Sequence, residues 1–224
     1  MAQIFRKSSN RLPVIGLVGG LGFFLFLIWF IYYYFSPKYT DVGYAPKQPI
    51  EYSHRFHAGE LGMDCRYCHS NVENTAVAKI PPTQTCMNCH SQITKNGSVK
   101  LLPVRESWAS GKPIEWVKVH MLPDYAHFNH SVHVNTGAKG GLAIGCETCH
   151  GRIDQMEVVT QSKPLSMSWC LECHYTPQKF LRPADLVTQM GYDEKRPAEQ
   201  EAKNLEVIKA KGIKPPKNCS ACHY

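Results

Sequence analysis

Outside one N-terminal stretch, the 224-residue sequence is poor in the long amphipathic runs from which helices and sheets build an ordinary core. It also has no basic stripe interleaved with aromatics. That excludes nucleic-acid binding as the meaning of its +7 formal charge. No cysteine stands outside a Cys-x-x-Cys pair, so the disulfide framework usual for ten cysteines in an exported segment has nothing to build on. No charge at all falls between Val14 and Phe35, and those 22 residues are long enough to cross a bilayer at a helical rise of 1.5 Å.

That apolar run exceeds a usual signal-peptide core, and no small-x-small cleavage site follows it. It ends instead in Trp29, Tyr32, Tyr33 and Tyr34, side chains suited to a membrane–water boundary. The reading is a retained anchor over 13–35. Arg6, Lys7 and Arg11 precede it, so residues 1–12 are expected to stay in the cytoplasm and residues 36–224 on the periplasmic side of a bacterial inner membrane. Gly16-x-x-x-Gly20 within the span fits either loose packing of a lone helix or close approach of a partner helix.

The ten cysteines form five copies of one pattern: Cys65-Arg-Tyr-Cys68-His69, Cys86-Met-Asn-Cys89-His90, Cys146-Glu-Thr-Cys149-His150, Cys170-Leu-Glu-Cys173-His174 and Cys219-Ser-Ala-Cys222-His223. Cys-x-x-Cys-His is the attachment signature of c-type haem. Two thiols add across the porphyrin vinyl groups, and the adjacent histidine is held under the iron as proximal ligand. Structural zinc gives no reason for a histidine after every pair, and a redox dithiol would not recur five times in so short a chain. The expected cofactor set is five haem c. Some 190 external residues make a globule of about 16 Å radius of gyration, so five macrocycles within it are close neighbours. They also stand in for much of the missing core. Each brings two propionates, which turns the basic balance of the polypeptide largely into counterions.

Electron-transfer haem usually has both axial positions filled, by histidine or methionine. The remaining histidines are His54, His57, His120, His127, His130 and His133. Tyr52-Ser-His54-Arg-Phe-His57 recurs as Phe128-Asn-His130-Ser-Val-His133, each followed by two attachment motifs. The pairs lie 76 residues apart (54 to 130), and the following motifs 81 (65 to 146) and 84 (86 to 170) apart. The wider second gap is assigned to the insertion Gly137–Gly141. This is a duplicated module, repeat 1 over about 52–90 and repeat 2 over about 128–174, with a fifth haem appended at 215–224. Histidines at i and i+3 share a helical face and tilt toward different irons. The distal candidates are therefore His54, His57, His120, His130 and His133, with Met167 as the best methionine and core packing beside Trp169 as its alternative. Met63 and Met87 are too close to their own cysteines to cap the same haem, and His127 reads as an extra member of its cluster.

Residues 36–51 read as an extended linker pinned by three prolines, and 157–160 as a short strand. Residues Pro197 to Ala210 read as a surface helix with Gly212 past its end. The fold class expected is a multihaem cytochrome c: one transmembrane helix plus a loop-rich, mainly short-helix domain over 52–224, organised around five haems.

The strings SPKYTDVGYAPKQPIEYSHRFHAGELGMDCRYCHS, IPPTQTCMNCH, WVKVHMLPDYAHFNHSVHV and PLSMSWCLECH resemble the pentahaem cytochrome c subunits of alternative complex III, the bacterial membrane-bound quinol:electron-acceptor oxidoreductase. The His-x-x-His arrangement alone is shared with cytochromes of the c3 and c7 type. The resemblance implies an electron-transfer subunit rather than a catalyst by itself. Its implied partners are an integral membrane quinol-oxidising subunit, an iron–sulfur protein and a monohaem cytochrome c, with a soluble carrier or terminal oxidase beyond. A free-standing membrane quinol dehydrogenase feeding a periplasmic reductase is the alternative. A haem enzyme would need a vacant iron position, whereas here distal candidates outnumber the irons.

Overall fold

The computed structural model describes residues 4–93, 98–135 and 141–224, so the 137–140 part of the insertion lies outside the described residues. Helix α1 (Leu12–Tyr34) begins with proline in its first turn, where a missing N–H costs nothing, and stops just before Ser36-Pro37. Its aromatic end is knitted by i,i+4 contacts, Trp29 stacked on Tyr33 with ring centres 5.7 Å apart and Phe30 against Tyr34 at 4.6 Å. The helix is long and apolar enough to cross a membrane, and none of its residues is buried by the rest of the chain.

The segment after it is not extended throughout. Pro37 opens the one-turn helix α2 (Pro37–Thr40), because a proline at the first helical position is preset for that geometry. The chain then straightens and is tied down by main-chain bonds between Gly43, Tyr44 and Gln161, and by the Gln48 amide, which both donates to and accepts from the Val117 backbone.

Beyond residue 51 the described elements are short: α3 (Cys65–Cys68), α4 (Thr83–His90), α5 (Leu102–Ser110), α6 (Ser131–Val134), α7 (Cys146–His150), α8 (Met167–Tyr175) and α9 (Gln200–Lys211). The last begins three residues later than the sequence suggests and ends, as expected, on a left-handed Gly212. Residues 157–160 form no strand. The strands are β1 (Leu142–Ile144) and β2 (Leu181–Pro183), paired antiparallel with Ala143 opposite Arg182. Around this two-stranded ribbon sits a small apolar cluster of Val134, Ala143, Ala184 and Val187, with Val72 and Cys146 packed against it. Such a core is thin for a domain of this length, and it lies against the third attachment motif.

Candidate haem-binding site

All five motifs adopt one helical turn, which puts cysteines i and i+3 and histidine i+4 on a single face. Where the turn is isolated, as in motifs one and five, the His69 and His223 N–H groups close it by donating to Cys65 and Cys219 carbonyls at 2.9 Å. Asp64 caps α3: its carboxylate accepts from the Arg66 backbone and guanidinium and from Thr188 Oγ1. Those donors, Arg66 first, draw its pKa down to about 2. All ten thiols are free of disulfides.

The thiols also report how the motifs neighbour one another. Cys68 feels Cys86 of the second motif, while Cys65 and Cys146 of the third motif lie close enough to perturb one another. Cys149 feels Cys173 and Cys170 of the fourth, and Cys170 feels Cys222 of the fifth. In space the motifs therefore run 2–1–3–4–5, an order that does not follow the chain.

The two His-x-x-His segments have the same local geometry. Tyr52 stacks on His57 with ring centres 4.5 Å apart and meets His54 edge-on at 4.8 Å. Phe128 stacks on His133 at 4.6 Å and meets His130 edge-on at 4.8 Å. Each second histidine donates from Nδ1 to the carbonyl four residues back, His57 to Ser53 at 2.8 Å and His133 to Asn129 at 2.7 Å. Each then faces the second motif of its own repeat. The His57 and His90 rings are 6.2 Å apart, and so are those of His133 and His174. A metal held between two imidazoles, with metal–nitrogen bonds of about 2 Å on each side, sets ring centres roughly 6 Å apart. The aromatic residue two places before each pair is a site element that sequence reasoning missed, although Tyr52 and Phe128 stood aligned in the repeat.

The tautomers agree with that use. Nδ1 of His57, His69, His130, His133, His174 and His223 lies 2.6–2.9 Å from a backbone carbonyl, which can only accept. The proton is thereby placed on Nδ1 and the lone pair on Nε2, the arrangement that orients a metal-ligating histidine. Among the described residues, three more buried ring nitrogens have no partner: His54 Nδ1, His150 Nδ1 and His120 Nε2. Burial, reinforced by neighbouring imidazoles, pushes His54 down to about 4 and His150 to about 3. Burial likewise lowers His90, His120 and His133. All are held neutral, the form that donates to a metal. Among the described residues no three His, Cys, Asp or Glu side chains converge as the ligand set of a free ion would. Opposed imidazole pairs beside helical thiol pairs fit a planar macrocycle that supplies the other four ligands itself.

The remaining candidates are distributed unevenly. His54, His120 and His130 gather at the junction of the repeats, around His69 and His150; the His120 ring meets His150 edge-on at 4.5 Å. His130 and Ser131 donate their backbone N–H groups to Ala76 and Thr75 of the first repeat. His127 spends Nε2 on the Tyr224 carbonyl at 2.6 Å and stacks on that ring. Met167 is the exposed first residue of α8.

Motif three differs from the others in being locked into the protein. Its intervening Glu147 is buried, accepting from Arg182 at 2.7 Å and from the backbone N–H groups of Gly191 and Asp193. Arg182 is fully buried. It also pairs with Asp193 at 2.8 Å, donates to the Gln189 and Leu186 carbonyls, and lies 4.6 Å over the Tyr192 ring. Thr148 completes the clamp by donating to Asp193.

Comparison with known proteins adds to this geometry. Residues 50–106 and 126–224 match the family model "Cytochrome c7 and related cytochrome c", and the gap between them spans the segment that holds His120. Over 113 residues the chain is 33% identical to a protein of Nitratidesulfovibrio vulgaris named menaquinone reductase, multiheme cytochrome c subunit. That match covers 50% of this chain and spans about half the length of the relative. With the family model matched over well beyond half of its residues, the chain belongs to the cytochrome c7 and related cytochrome c family, whose cofactor is covalent haem c.

Proposed function

We propose that the chain carries five haem c groups, one on each Cys-x-x-Cys-His turn. In this reading it is the electron-transfer subunit of a membrane-bound quinone oxidoreductase of the alternative complex III kind. The observation that carries the reading is the repeated 6.2 Å opposition of His57 to His90 and of His133 to His174. It recurs at matching positions of both repeats, with the same stacked aromatic and the same Nδ1 anchor.

When bound, haem c supplies a one-electron centre whose potential the axial ligands and surroundings set. The chain's own part is to hold each site still. His69, His90, His150, His174 and His223 would hold the haem irons from the motif side, and His54, His57, His120, His130 and His133 are the candidates for the other side, with Met167 the remaining option. Carbonyl anchors at Nδ1 fix ring orientation, so little moves when charge changes. With haem on each turn, electrons would pass along the spatial order 2–1–3–4–5, with motifs two and five at its ends.

Helix α1 anchors the subunit with its N-terminus in the cytoplasm and the haem domain on the periplasmic side. Quinol is oxidised in an integral membrane subunit and an iron–sulfur partner, and electrons leave for a monohaem cytochrome, a soluble carrier or a terminal oxidase. A second reading has the opposite direction of flow. It is favoured by the name of the Nitratidesulfovibrio relative, a subunit of a menaquinone reductase.

The test is haem quantification with electron paramagnetic resonance on the oxidised protein. Five low-spin haems per chain are expected, and a stoichiometric high-spin signal refutes the reading. Native electrophoresis after gentle detergent extraction should show haem in a large complex; migration as a lone subunit counts against it. Reduction of the haems by a menaquinol analogue, against oxidation of pre-reduced haems by the quinone, separates the two directions.

A further inference from the structure

Motif five is a bare turn. None of the residues Cys219–Ala221 is buried, and the chain forms no helix or strand between Gly212 and Asn218 on its way there. What grips it comes from far away in sequence, the stretch Tyr125–His127. The Tyr125 carbonyl accepts from His223 Nδ1 at 2.8 Å. The His127 backbone N–H donates to the Cys222 carbonyl at 2.8 Å, and the His127 side chain reaches the Tyr224 carbonyl at 2.6 Å. A carbonyl only accepts, so His127 carries its proton on Nε2 and donates from it. The His127 ring also stacks on the Tyr224 ring, 4.2 Å from centre to centre and 21° from parallel. His127 thus holds the chain on either side of His223, while Tyr125 takes His223 itself.

The same stretch runs directly into the second histidine turn. Phe128, next to His127, stacks on His133, which opposes His174 of motif four. In return, His174 Nδ1 donates to the Pro216 carbonyl, on the segment leading into motif five. Motifs four and five are therefore cross-tied, each motif histidine taking its Nδ1 acceptor from chain that serves the other site. His69, by contrast, finds its acceptor at Lys79, ten residues on in its own repeat.

We infer that His127, the one histidine left over by the ligand assignment, is the positioning residue of motif five. By fastening Cys222 and Tyr224 to its own stretch, it fixes where the Tyr125 carbonyl meets His223. That acceptor sets the ring plane and makes the imidazole a stronger donor, which favours ferric iron. Loosening it therefore raises the reduction potential of the haem on motif five. The inference rests on the five-haem reading and adds a residue outside the ligand set.

The test is spectroelectrochemical titration of the full haem-loaded chain in detergent, for the native protein, His127→Phe and His127→Gln. Phenylalanine keeps a ring to stack on Tyr224 and loses the donor; glutamine keeps a side-chain N–H and loses the ring. A double variant, Cys219→Ser with Cys222→Ser, lacks the motif-five haem and identifies its component by subtraction. In His127→Phe that component alone should move upward. Its reduction equilibrium should shift about three- to tenfold, or about 30–60 mV for one electron. The g anisotropy of its low-spin paramagnetic signal should change with it, and His127→Gln should restore most of the native value.

Hydrogen exchange at the amides of residues 127, 222 and 223 reads the clamp whatever the haem count, and should quicken about tenfold in His127→Phe. Intact mass of each denatured sample counts the covalent haems, so a failure of the five-haem reading shows there and not in the exchange. Unchanged exchange, or an unmoved motif-five component, overturns the inference. Equal shifts in His127→Phe and His127→Gln overturn it as well, because the Nε2 donor is then not what positions the motif. A shift of all components together also overturns it, as the signature of general loosening.

Discussion

Replacing Arg182 with methionine is the sharpest test of how motif three is held. The guanidinium is fully buried and satisfies Glu147, Asp193 and two backbone carbonyls, while the Glu147 side chain is only 3% exposed. Methionine fills most of the volume but leaves that carboxylate in a low-dielectric site with only two backbone N–H groups. Removing one partner of a buried ion pair costs about 3–5 kcal/mol. With a urea m-value of about 2 kcal/mol per molar, the unfolding midpoint should fall by roughly 2 M. Glu147→Gln alone should also destabilise, but by less, because Arg182 keeps Asp193 as a partner at 2.8 Å. The double variant should recover at least about 2 kcal/mol relative to the sum of the singles, since a buried pair exchanged whole is far cheaper than a pair broken. The assay is urea unfolding of the ferric, haem-loaded protein, followed by far-ultraviolet circular dichroism and by the Soret band. Simple additivity of the two substitutions, or an unchanged midpoint in Arg182→Met, would falsify the argument that this network clamps the motif.

A Cβ at Gly59 would lie 2.3 Å from the backbone oxygen of Asp154, so Gly59→Ala must push the His-x-x-His turn off its support. It should cost about 1–3 kcal/mol in the same unfolding assay. His57→Ala and His133→Ala should each convert one haem to high spin in the electron paramagnetic resonance spectrum; an unchanged low-spin spectrum in either would remove that histidine from the ligand set. Asp64, held at about pKa 2 chiefly by Arg66, adds stability that is complete above its ordinary pKa of 3.8 and vanishes as pH falls through about 2. Screening at this partly exposed site reduces that contribution to about 1 kcal/mol. The difference in unfolding midpoint between the native protein and Asp64→Asn should therefore be present at about pH 5 and close near pH 2.

What could be read before the fold was known follows the chemistry's own range. Haem attachment needs two thiols and a histidine within one helical turn, so Cys65 to His69 and its four counterparts are legible as written. The duplication is legible too, because Tyr52 to His57 and Phe128 to His133 repeat as strings. Partnering is not: His57 meets His90 and His133 meets His174 across 33 and 41 positions of sequence, and no local pattern records that. The Arg182–Glu147 clamp escapes for the same reason, since it depends on β1 and β2 pairing across a long connection. The strand expected at residues 157–160 covers the β-branched Val158, Val159 and Thr160. Among the described residues no strand lies alongside for that β-propensity to pair with, and the segment stays a loop.

Two bonds hang His130 and Ser131 on the Ala76 and Thr75 carbonyls, so the second histidine turn takes part of its scaffold from the first half. The first half's histidine turn leans on the second in return, since Arg55 donates its backbone N–H to the Met156 carbonyl and pairs with Glu157 at 2.8 Å. A fault in either half therefore reaches the histidine turn of the other. A tandem repeat wired this way cannot be cut into two independent units, however alike its halves look on paper.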